Sequence, residues 1–118
     1  MTTLLIISTS PPYYNSAAQD ALEAALAASN VGVDVTFVFA QQGLYQLLDT
    51  QDGTYLHKKS MAKQINVMPL YDIDAIYYIE DDMSSLNLTS DAMNSTASAI
   101  SSIEFSRLCD SSAAVIRF

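Results

Sequence analysis

The stretch "TLLIIST", Thr3–Thr9, sets the terms for everything that follows it. Four consecutive large aliphatic residues, Leu4–Ile7, show no alternation with polar ones. A strand that is wetted on one face alternates, whereas a strand covered on both faces reads as an unbroken apolar run. The run is closed by "SPPYYNS", rich in turn formers, and an Ala-rich segment follows directly. A doubly buried strand followed by a helix is the opening unit of a layered α/β fold.

Outward from this strand the same alternation continues. Ser16 with Gln19 three residues on has the spacing of a capping box and predicts a helix over Ala17–Ser29. Its polar strip is narrow (Gln19, Asp20 and Glu23), and Gly32 stands ready to take a left-handed conformation at its end. "DVTFVFA", Asp34–Ala40, predicts a second strand, with Val35, Phe37 and Phe39 on one face and Thr36 and Val38 on the other. "QQGLYQLLDT" suits a short helical turn, "QDGTY" a turn, and residues 57–68 a helix with Met61, Ile65 and Met68 on one stripe. "AIYYI" is a third strand. A fourth is placed near Thr96–Ile100, a helix near Ile103–Asp110, and a fifth strand at Ala113–Phe118. The expectation is a single domain over 1–118, a three-layer α/β/α arrangement around a mostly parallel sheet of about five strands.

Composition removes several functions. Five basic residues stand against thirteen acidic ones, a formal net charge of −8, which leaves no basic surface for neutralising nucleic-acid phosphates. No apolar run approaches the ~20 residues that span a bilayer. The start of the chain lacks the basic flank of a signal peptide, and one cysteine, Cys109, forms no internal disulfide. A cytoplasmic protein without membrane contact is expected. Charge is uneven: Lys58, Lys59 and Lys63 fall in a stretch without acids, whereas eight acids follow Leu70 against Arg107 and Arg117.

In parallel sheets functional groups gather at the carboxyl ends of the strands. The loop after the first strand has no glycine and carries Pro11 and Pro12, so it lacks the backbone donors of a phosphate cradle. Its Tyr13 and Tyr14 suit contact with protein. The loop after the second strand concentrates Leu44, Tyr45, Leu47 and Leu48. These residues either roof the domain's own core or are covered by another chain; Tyr13, Tyr14, Leu44 and Tyr45 are the candidate partner interface. After the third strand come Glu80, Asp81 and Asp82. A phosphoacceptor receiver would also need acids after the first strand and a lysine after the fifth, and neither exists here. A divalent metal on Asp81 and Asp82, in a flavodoxin-like enzyme or signalling domain, is the alternative reading, but consecutive loop acids seldom converge on one ion. No cofactor, metal or catalytic residue is assigned. His57 has no supporting triad motif. Cys109 falls near a helix C-terminus, where the dipole opposes the ionisation that activates thiols.

The "STSP" after the first strand, "VTFVFAQQGLYQLL", "LYDID" leading into the third strand, and "AVIRF" occur in an order that resembles the TusC branch of the DsrE/DsrF-like sulfur-relay family. The resemblance runs over essentially the whole chain and matches least at Met83–Asn94. It implies a cytoplasmic hetero-oligomer with TusB-like and TusD-like subunits, a heterotrimer doubled into a hexamer. Such an assembly passes persulfide sulfur to a TusE-like carrier for 2-thiolation of the tRNA wobble uridine. It also implies that the TusD-like subunit carries the relay cysteine in the loop after a central strand. Here the matching loop is "IEDDMSS", with Glu80, Asp81 and Asp82 and no thiol between Glu80 and Ser84. The expectation is a non-catalytic subunit with a degenerate active-site loop.

Overall fold

The structure is a computed structural model that describes residues 3–11, 16–48 and 61–118. Five strands form one sheet: β1 (Thr3–Ser8), β2 (Asp34–Phe39), β3 (Ala75–Ile79), β4 (Ser98–Ile100) and β5 (Ala114–Arg117), in the order β4-β3-β2-β1-β5. Every neighbouring pair is parallel. Among the described residues four α-helices connect them: α1 (Ala17–Asn30), α2 (Met61–Val67), α3 (Glu80–Ser85) and α4 (Ser102–Ser111). The α/β class and the strands read from the sequence are all present.

Strand alternation decides the two cores. Ile6 pairs with Phe37 and shares its face with Val35 and Phe39, whereas Leu5 and Ile7 turn to the other face with Val38 and Ala40. The first face holds the larger core: Ala18, Leu22, Ala25, Ile65, Met68 and Ile73 pack there, and Met83, Leu86 and Leu88 lean on it from α3 and the turn after it. Phe37 and Phe39 lie 4.9 Å apart, centroid to centroid, a pairing worth about 1 kcal/mol beyond its burial. The second face is covered from α4, whose Phe105, Leu108 and Cys109 are half-buried against Leu5, Ile7, Val38, Ala40 and Ile79. Handedness explains the unequal cover. β1 through β4 advance in one direction, so right-handed crossovers put their helices on one face. The step from β4 to β5 runs back past β1 and puts α4 on the opposite face.

Helix ends account for two departures from expectation. Ser16 begins α1 but has helical backbone angles and makes no capping bond; its hydroxyl donates instead to Asp20 Oδ2 at 3.1 Å. The capping box belongs to α4: Glu104 N donates to Ser101 Oγ at 3.2 Å, and Ser101 N donates to Glu104 Oε1 at 3.3 Å. At the end of α1, Gly32 takes φ +84°, the left-handed cap expected of it. The helix expected over residues 57–68 is described from Met61, and a 3-10 turn, Met68–Tyr71, continues it.

Candidate functional site at the carboxyl ends of the strands

Three segments meet beyond the carboxyl ends of β1, β2 and β3. The first, Ser8-Thr9-Ser10, is fastened on both sides. Ser8 O accepts from Ala40 N at 3.0 Å, and Thr9 N and Oγ1 both donate to Phe118 O, at 3.0 and 2.8 Å. The second is a 3-10 helix, Gln41–Leu47, seven residues rather than a single turn. It lies so close to β1 that a Cβ on Gly43 would sit 2.0 Å from Ser8 O. Only glycine permits that approach. Gln46, fully buried, donates from Nε2 to Ser8 Oγ at 2.7 Å and to Ser10 O at 2.9 Å. The carbonyl of Ser10 accepts only, so the amide orientation is fixed, and Oε1 is a buried acceptor without a donor among the described residues.

The third segment carries the acids. Glu80, Asp81 and Asp82 form the first turn of α3, which starts directly from Ile79 at the end of β3. They were expected on a loop. Acids in a first turn complement the exposed N–H groups and the helix dipole, which favours a turn of helix where the sequence shows no apolar periodicity. Asp82 Oδ2 accepts from Gln41 N at 2.8 Å, and Arg117 Nη2 donates to Gln41 Oε1 at 3.2 Å. Gln41 is in the left-handed region, φ +52°, so Asp82 holds the strained start of the 3-10 helix and Gln41 links it to β5. Asp82 thus acts within the fold. Among the described residues no three His, Cys, Asp or Glu side chains are grouped to hold a metal ion.

The remaining candidates separate. Leu44 is fully buried in the large core with Leu47, so it roofs the domain's own interior and is not a surface contact. The cause is the three-residue repeat of the 3-10 helix, which turns both leucines inward. Tyr45, between them, is half-exposed and keeps the interface reading. Tyr13, Tyr14 and His57 lie outside the described residues. Cys109, on α4, is half-buried on the second face of the sheet, in the small core that includes Ile79, and belongs to a different element from the acids of α3. Sequence reasoning left the Met83–Asn94 segment without a role. Here Asn94 is buried, donates through Nδ2 to Asn66 Oδ1 at 2.9 Å and accepts from Thr96 N at 2.9 Å, while Asn94 N donates to Leu47 O at 2.7 Å. The segment props the 3-10 helix. Its signal was an Asn two residues before a Thr, the pattern of an Asx turn.

Comparison with known proteins agrees with this geometry. A curated TusC homolog of Vibrio parahaemolyticus is 29% identical over 86% of this chain and 86% of its own length. One from Vibrio vulnificus is 25% identical over 100% of both chains. A TusC homolog of Pseudomonas aeruginosa is 31% identical over 64% of this chain and 63% of its own. The crystal structure of the YchN protein from E. coli superposes with a TM-score of 0.88 over 100% of both chains at 12% identity, a likeness of fold. The profile of the DsrE/DsrF-like family matches residues 3–118, and the chain, with TusC homologs among its relatives, belongs to that family.

Proposed function

We propose that this chain is a non-catalytic, TusC-type subunit of a cytoplasmic sulfur-relay assembly. In this reading a single DsrE/DsrF-like domain joins TusB-like and TusD-like subunits in a dimer of heterotrimers. The assembly passes persulfide sulfur to a TusE-like carrier for 2-thiolation of the tRNA wobble uridine. The observation that carries the proposal is the end of β3. Persulfide transfer needs a thiolate that attacks the outer sulfur of the donor persulfide, while the S–S bond breaks and the donor leaves as a thiolate. A carboxylate cannot hold that sulfur. Where the family resemblance puts the nucleophile, this chain has Glu80, Asp81 and Asp82, and the carboxylate of Asp82 is already bonded to Gln41 N. The one thiol, Cys109, is on another helix and the other side of the sheet's cover.

Tagged protein co-expressed with the TusB-like and TusD-like subunits of its own organism tests this. The three chains are expected to co-purify in equal amounts, and deletion of this gene is expected to abolish 2-thiouridine in the affected tRNAs. A lone, stable monomer with a thermal shift on adding divalent ions would replace this reading with the metal-dependent alternative.

A further inference from the structure

The large apolar side chains most exposed among the described residues fall into two groups. Ile103, Val115 and Ile116 lie on α4 and β5, where Glu104, Arg107, Asp110 and Arg117 mix both signs of charge. The other group is Val31, 78% exposed, Val67, 36%, Leu70, 81%, and Tyr71, 46%. It lies away from the site described above, where α1 ends and the α2 helix runs out before β3 begins. The Ser29 hydroxyl donates to Tyr71 O, which clasps the two segments together. Val67 and Leu70 are three residues apart on one continuous helical stretch and are surface neighbours.

This surface is built in advance. Met68 and Ile73, both fully buried, anchor the turn from beneath. Asp72 closes it in the left-handed region at φ +65°, with Asp72 N on Pro69 O at 3.2 Å and Ile73 N on Met68 O at 3.2 Å. Leu70 and Tyr71 are held outward by a turn whose Met68 points into the core. Its rim is acidic: Asp34, Asp72 and Asp74 are all exposed around the amino ends of β2 and β3. The chain has no lysine or arginine between Ala17 and Leu48 or between Gln64 and Ser106, and Lys63, one helical turn before Val67, is the nearest basic residue in sequence.

We infer that Val31, Val67, Leu70 and Tyr71 form a docking surface for another protein subunit whose apolar contact is flanked by lysine or arginine. An apolar centre with a charged rim is the anatomy of a specific interface, and the sign of the rim selects the partner. A second copy of this chain is the wrong occupant: a symmetric contact would set these carboxylates against their own copies in a protein of net charge −8. The inference rests on the subunit reading and names the face that reading leaves open.

The test uses the co-expressed assembly with two double variants, Val31→Ser/Leu70→Ser and Asp72→Asn/Asp74→Asn. The apolar variant is expected to lower recovered complex at least ~10-fold, as loss of central apolar anchors does, while the isolated chain keeps its melting temperature. The rim variant is expected to weaken assembly several-fold at low salt, with the difference fading near ~0.5 M salt as charges are screened. It is also the readout should the apolar variant fail to fold, since asparagine accepts the left-handed position of Asp72. If wild type assembles and both variants assemble equally well, the docking surface is wrong and the subunit reading stands. If wild type joins neither subunit, the subunit reading itself falls and takes the surface with it. Self-association of the chain, abolished by Val31→Ser/Leu70→Ser, would overturn the choice of partner.

Discussion

Gly43→Ala and Gly32→Ala make a matched pair whose costs the structure ranks. At Gly43 the new Cβ would meet Ser8 O at 2.0 Å, Ser8 C at 2.8 Å and Thr9 Cα at 3.2 Å, all of them backbone. The shortest contact is roughly 1.5 Å inside the ~3.5 Å at which heavy atoms rest, and no rotamer relieves it. The 3-10 helix must move off β1. That motion loosens Ala40 N on Ser8 O and the buried Gln46 bonds to Ser8 and Ser10. Overpacking costs about 1–3 kcal/mol, and a disturbed buried hydrogen bond adds about 1 kcal/mol. A total near 3 kcal/mol is a large part of the ~5–15 kcal/mol that holds a domain together. At Gly32 nothing lies within 4 Å and only the positive φ is at stake, about 1–2 kcal/mol. Urea titrations followed by circular dichroism, with thermal melts, measure both. Gly43→Ala is expected to lower the melting temperature by ~10 °C or more, clearly beyond Gly32→Ala. Equal shifts, or a Gly43→Ala shift under ~3 °C, would refute the close packing of the 3-10 helix on β1.

Other outcomes can be stated for single sites. Cys109→Ser is expected to leave wobble-uridine thiolation intact when it replaces the wild-type gene; loss of thiolation in a folded, assembled variant would return the thiol to the chemistry. Asp82→Ala removes the acceptor of Gln41 N and is expected to cost about 1 kcal/mol and to speed hydrogen exchange at Gln41; unchanged exchange there contradicts the role given to Asp82. Tyr45→Asp is expected to reduce assembly ~10-fold while the isolated subunit stays folded. Unfolding would instead make Tyr45 part of the roof over Leu44 and Leu47. Filter binding should find no tRNA affinity near ~0.15 M salt, because five basic residues against thirteen acidic ones form no surface that releases counterions; micromolar binding with a steep salt slope would overturn that.

The parts legible in the sequence are those where burial alone dictates residue type. Leu4–Ile7 had to be a strand covered twice, and the Val35, Phe37, Phe39 alternation had to divide two faces. Gly32 announced its own left-handed cap. What escaped depends on partners distant in sequence. Leu44 and Tyr45 read alike until the 3-10 period turns one in and leaves the other half out. Asp82 resembled a free carboxylate because its donor, Gln41, is 41 residues away. Ser16 with Gln19 and Ser101 with Glu104 present the same spacing, yet only the second serine has the extended backbone that lets its side chain reach the third amide.

The strand order β4-β3-β2-β1-β5 also sets a timetable for synthesis. β1 is the first strand made, but its second neighbour, β5, emerges only after the other four strands. Until then the β1 backbone is open on the side later occupied by Ala114–Arg117. The bonds of Ala113 N to Thr3 O, Phe118 N to Ile7 O and Thr9 N to Phe118 O form only at the end. A nascent sheet ending in Leu4–Ile7 is an apolar edge able to pair with any passing strand. The interval before β5 closes β1 is when a neighbouring chain's strand competes with its own.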